Sequence, residues 1–127
     1  MSEAIGQTAE DIVGPYRELL EMALARAGGT HTYEDVLELI SVGDMFFWPA
    51  SKSCMVTEIV QYPRKRALHV FLAAGDLAEI KDMESSLISF AKRLQCSALS
   101  MSGRKGWTKA LKDMDWHEAH ITLVKQI

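Results

Sequence analysis

From Asp76 to Ile127 the apolar residues change their spacing repeatedly, and that succession limits the folds open to the chain. Leu77, Ile80, Met83, Leu87, Ile88, Ala91 and Leu94 recur at helical spacing, with Asp76 placed to cap the start. Ala98 to Met101 then reads as a short strand. Trp107, Ala110, Leu111 and Met114 return to helical spacing over Arg104 to Met114. After Trp116, Glu118 to Lys125 alternates, with Ala119, Ile121 and Leu123 on one side and His120 and Thr122 on the other. A strand, a helix and a strand in that order form a parallel crossover pair, so an all-antiparallel fold is excluded.

The preceding residues add helices and hairpins. Ala9 to Ala27 carries Ile12, Tyr16, Leu19, Leu20, Ala23 and Leu24 on one helical face, with Thr8 as cap and Gly28-Gly29 as terminator. Gly14-Pro15 interrupts it, or Pro15 opens a second segment that begins at Gly14. Thr32 caps a second helix with Glu34 and Asp35 in its first turn. Met45 to Trp48, Ser53 to Gln61 and Arg66 to Leu72 read as strands. The last places Leu68, Val70 and Leu72 on one side and His69 and Phe71 on the other. Short connectors make them antiparallel neighbours. The order is therefore αα-βββ-α-β-α-β, an α/β (α+β) domain over residues 9–127 with a mixed sheet flanked by helices, preceded by a flexible tail at 1–8.

Composition narrows the function. The 127 residues have a net charge of -3, which argues against strong, nonspecific nucleic-acid binding. No apolar run is long enough to span a bilayer, and Met1 to Gln7 lacks a signal peptide's pattern. Cys54 and Cys96 are read as buried, reduced thiols. His31, His69, His117 and His120 lack the spacing of a helical metal site, and no metal is expected. Without a Gly-x-Ser-x-Gly elbow, a serine hydrolase is not indicated.

The element order resembles the GNAT-type N-acetyltransferase fold from Ala9 to Ile127, without its opening strand. Arg104 to Trp116 is similar to the family's Asn-xx-Ala-xx-Leu-Tyr-xxx-Gly-Phe segment. The chain also resembles small phage and prophage proteins with a Gly-Arg-x-Gly-Trp signature, here Gly103 to Trp107. The first resemblance implies acetyl-CoA held by the backbone of Leu72, Ala73, Ala74, Gly75, Asp76 and Leu77, with Glu58 as base. The chain departs from it at three places. Ala73 to Glu79 keeps a single glycine of the family's diphosphate loop and brings Asp76 and Glu79 to its position. Leu111 stands where the family often has a tyrosine, and Asp115 where it has a glycine.

These departures, together with the resemblance to phage proteins, favour a non-catalytic phage or prophage protein without a cofactor: a virion-associated or accessory interaction module in the virion or the host cytoplasm, with a protein partner or as a homo-oligomer. The alternatives are a working acyl-CoA-dependent N-acetyltransferase and a host-factor-binding anti-defence or regulatory protein. Glu58 is either the base or an outward acid paired with Arg66 across the hairpin. Arg104 and Lys105 are candidate anion or partner contacts, Arg104 alternatively pairing with Asp113 or Asp115. Phe47 and Trp48 belong to an apolar strand with either both faces covered or one face for a partner.

Overall fold

The structure, a computed structural model, describes residues 7–127; most of the expected tail lies outside them. The elements are α1 (Ala9–Val13), α2 (Arg17–Leu24), α3 (Tyr33–Ser41), β1 (Phe46–Pro49), β2 (Cys54–Gln61), β3 (Arg66–Ala74), α4 (Leu77–Asp82), α5 (Glu84–Arg93), β4 (Ala98–Met101) and α6 (Gly106–Ala110). The sheet has four strands in the order β1-β2-β3-β4. The first two pairings are antiparallel, and β3 pairs with β4 in parallel across the helical crossover.

Helices cover both faces of the sheet. Val13, Leu20, Leu24, Tyr33 and Val36 of α1 to α3 pack on Cys54, Val56 and Leu72. Ile80, Leu87 and Ala91 of α4 and α5 pack on Met55, Leu68 and Val70 from the other side. The largest fully buried side chains include Leu20, Leu68 and Leu87, so each layer contributes a large residue to the interior.

The first helix is broken as Pro15 requires. Lacking an N–H, Pro15 opens a 3-10 turn, Gly14–Tyr16, and the α-helix resumes at Arg17. Thr8 and Thr32 each form a capping box, with Asp11 and Asp35 respectively. Thr8 thus caps the first helix as expected. The expected single helix from Asp76 to Leu94 is divided at Met83, whose φ and ψ of -75° and -14° drift toward 3-10 geometry.

Two sheet features differ from expectation. Val56 pairs with Leu72 and Thr57 with Val70, so Phe71 is an extra residue in β3. This bulge reverses the side-chain alternation, and Leu72 faces α1 to α3 whereas Leu68 and Val70 face α4 and α5. The expected closing strand does not form. Residues 117–127 are irregular and exposed, and they make no backbone hydrogen bond among the described residues. Their alternation satisfies the local condition for a strand, but no neighbouring strand supplies the ladder.

Candidate functional site

The turn between β3 and α4 is the expected cofactor loop, and the protein's own groups fill it. Gly75 has a φ of +116°, a conformation that side-chain-bearing residues rarely adopt. A Cβ there would collide with the Lys52 carbonyl and the Ser53 backbone, so the β1–β2 turn lies directly against it. The buried Ser53 hydroxyl accepts the Asp76 N–H at 2.8 Å and donates to the Glu79 carboxylate at 2.7 Å. The Lys52 N–H donates to the same carboxylate oxygen at 2.9 Å, and the Ser51 hydroxyl donates to the other. Asp76 caps α4 by accepting the Glu79 N–H at 3.1 Å.

The Ser51 hydroxyl first, then the Ser53 hydroxyl and the Lys52 N–H, hold the Glu79 carboxyl below the usual carboxylate range. Donors that could otherwise meet a diphosphate, the Lys52 N–H and two serine hydroxyls, are therefore committed to an internal anion. Glu79, expected as a dipole partner of its own helix, also ties α4 to the β1–β2 turn.

The strand leading into this loop is less enclosed. β4 pairs with Ala67 to Val70 only, while β3 continues to Ala74. Beyond Val70, the residues up to Ala74 have a strand neighbour only on the β2 side, apart from the Ser102 N–H that reaches the Val70 carbonyl at 3.2 Å. Leu72 is buried, Ala73 and Ala74 are half-buried, and Gly75, Asp76 and Leu77 are exposed.

Glu58 is half-buried and lies opposite His69, not opposite Arg66, which faces Gln61. The expected Glu58–Arg66 pairing across the hairpin is thus ruled out by the register. His69 in turn lies opposite Ser100, giving a polar row Glu58, His69, Ser100 across three strands. The His69 Nδ1 is 2.8 Å from the Ser100 hydroxyl, and its Nε2 is 2.8 Å from the Ser102 hydroxyl. Burial pushes the His69 imidazole below its ordinary value, and the Glu58 carboxylate partly opposes that. A neutral imidazole held between two hydroxyls acts as donor to one and acceptor from the other, and such a row can relay a proton. Its signal in the sequence is a histidine amid apolar strand residues and serines two apart, Ser100 on the next strand and Ser102 just past its end.

The other expected contacts are spread over the molecule. Phe47 packs with α1 to α3 and meets Tyr16 edge-on at 5.3 Å. Trp48 packs on the opposite face, edge-on to Phe90 at 5.3 Å, and its indole N–H donates to Thr57 at 2.9 Å. Both faces of β1 are therefore covered, and an apolar cleft of about 440 Å³ wraps around its edge between Ile12, Ile40, Phe46 and Phe90. Arg104 and Lys105 are exposed just ahead of α6. Asp113, one of the expected partners of Arg104, pairs instead with Lys81 at 3.4 Å.

The segment from Gly103 to Trp116 has a structural explanation. A Cβ on Gly103 would lie 2.6 Å from Trp107 Cδ1, so the glycine makes room for the indole. Leu111 is buried beneath α6. Asp115, where the resemblance called for glycine, adopts the left-handed conformation at φ +65°. It turns the chain so that the Trp116 indole N–H donates to Glu84 at 2.7 Å.

Both cysteines are free thiols. Cys54 is buried, and burial pushes its thiol up to about 11, whereas Cys96 is only half-buried. Among the described residues there is no group of three potential metal ligands, and no helix is long and apolar enough to cross a membrane.

No family model matches the sequence, and a comparison with curated proteins returns no match. Solved structures do resemble it. A tetramutant of the BH1408 protein from Bacillus halodurans has a TM-score of 0.67 at 12% identity, over 95% of this chain and 97% of that one. Wild-type TTHA1254 from Thermus thermophilus has a TM-score of 0.57 at 13% identity, over 89% of this chain and 91% of that one. A point mutant of TTHA1254 gives 0.59 over the same shares. At such identities the likeness is one of fold.

Proposed function

We propose that the chain is a non-catalytic interaction module built on a GNAT-like scaffold. The observation that carries this reading is the Glu79 carboxylate, bound by Ser51, Lys52 and Ser53 where the diphosphate of an acyl-CoA would need donors. A diphosphate entering there meets an anion at close range and finds its donors taken. Leu111, buried and without a titratable atom, adds that the position expected for a thiolate-protonating tyrosine is structural. A phage or prophage origin, with a place in the virion or host cytoplasm, rests on the Gly103 to Trp107 resemblance alone.

The test is calorimetric titration with acetyl-CoA. No saturable heat at millimolar ligand is expected; saturable binding in the micromolar range would overturn the reading. One specific arrangement favours the rival N-acetyltransferase. Glu58 stands opposite His69, and the backbone beyond Val70 in β3 is unpaired toward β4. In that reading Glu58 takes the amine proton, with His69 beside it, and a pantetheine arm lies along β3. Micromolar binding that is lost on introducing bulk at Ala73 would select it. A host-factor-binding regulatory protein is a variety of the interaction reading, and a defined partner complex would distinguish it.

A further inference from the structure

We infer that residues 118–125 form a strand on the outer edge of β4 in a second copy of this chain, exchanged reciprocally to make a two-fold dimer. This rests on the reading of the chain as an interaction module and names its partner.

Among the described residues, two elements lack a neighbour on one side or altogether. β4 is the last strand of the sheet, paired with β3 on one side only, so alternate backbone groups of Ala98 to Met101 face outward without a ladder. The C-terminal arm is the other. Ile121, Leu123 and Val124 are 70%, 86% and 79% exposed, and no backbone hydrogen bond engages the arm among the described residues. Its root is fixed by Trp116 on Glu84 and by the Thr108 hydroxyl, which donates to Glu118 at 3.3 Å. Past Glu118 the arm extends into solvent.

The two elements match on both faces. On β4, Leu99 and Met101 belong to the apolar cluster under α5, while Ser100 faces the opposite way toward His69. On the arm, Ala119, Ile121 and Leu123 alternate with His120 and Thr122. Laid beside β4, the first row continues the apolar cluster, and His120 and Thr122 extend the polar row of Ser100, His69 and Glu58. Val124 and Lys125, at the end of the strand, break this division. A shift of one residue would expose the apolar row and bury the polar one, so the match also sets the register. Reciprocal exchange satisfies both edges and closes the assembly at two chains, whereas one-way addition would build a filament.

Sedimentation equilibrium and disulfide trapping test this. The intact chain should sediment at twice its 14.2 kDa. Deleting residues 118–127, or substituting I121D together with L123D, should halve that mass while the circular dichroism is retained. These positions are exposed in the single chain, so the double substitution does not threaten its fold. In a Cys96→Ala background, chains carrying S100C are then mixed with chains carrying T122C. Both positions are central in their elements, so either strand direction brings them near each other. A cross-linked heterodimer is the expected result. A monomer at all concentrations, a dimer that survives deletion of the arm, or an S100C/T122C chain that closes on itself would each overturn the inference. Acetyl-CoA binding bears on the non-catalytic reading and not on the dimer, so the two can fail separately.

Discussion

The β3–α4 turn follows a strand and the C-terminal arm follows a helix, and the two resolve their hydrogen bonding in opposite ways. In the turn, one carboxylate gathers three donors from a segment more than twenty residues away, and Gly75 lets the two backbones touch. In the arm, the backbone has no partner among the described residues and the apolar side chains stand in water. A segment whose groups are satisfied internally has little left for a ligand. One that leaves them open invites a neighbour. This contrast is why the arm and the sheet edge, rather than the turn, are the surface proposed above for a partner.

Within the turn, the largest expected effect comes from replacing Gly75 with Ala. The new Cβ meets backbone atoms that cannot yield cheaply, at a φ of +116°, so urea unfolding should show a loss of about 3 kcal/mol. A cost near zero would mean that the turn is looser than its contacts imply, and the contrast would weaken. A core control in the same assay, Leu87→Ala, should cost about 2–5 kcal/mol, because a fully covered side chain leaves a cavity.

Glu79→Gln addresses the charge. Its carboxyl is held below the ordinary range in the folded state, so the folded protein binds fewer protons there than the unfolded chain. The stabilisation is therefore present above the unfolded carboxylate value and is lost as pH falls through the folded one. The variant should melt below the parent at neutral pH, and the gap should close as the solution is acidified through the carboxylate range. A pH-independent gap would show that the contacts matter through shape rather than charge.

His69 gives a second, separable pH dependence. Burial favours its neutral form, so the unfolded chain binds the proton more readily. Stability should decline as pH drops below the ordinary imidazole value of about 6.5. His69→Asn should flatten that part of the profile, read by thermal melts across pH. At the small end, Leu123→Ser should change the stability of the separated chain by less than about 0.5 kcal/mol, because its side chain has nothing to lose.

Much of the scaffold is legible in the sequence because its signals are local. Pro15 announces the break in the first helix, Thr32 with Asp35 announces a capped start, and the short connectors announce the hairpins. What escapes depends on cross-strand or distant partners. The bulge at Phe71 is a property of two strands in register, so the alternation along β3 alone puts Leu72 on the wrong face. The division at Met83 has no proline or glycine to mark it. The role of Glu79 depends on Ser51 and Ser53, which its own helix cannot reveal. Asp115 looks like a lost glycine, but it takes the left-handed conformation itself. The arm marks the limit most clearly. Its alternation meets the local requirement of a strand, but a strand also needs a neighbour, and the described residues provide none.

Amide hydrogen exchange, followed at low and high protein concentration, tests the contrast most directly. The amides of Lys52, Asp76 and Glu79, which donate to the Glu79 carboxylate, Ser53 and Asp76 respectively, should be protected at both concentrations and unaffected by acetyl-CoA. Those of residues 119–125 should exchange freely when dilute and gain protection when concentrated. Arm amides that stay unprotected throughout, or turn amides that become protected only with acetyl-CoA, would contradict it.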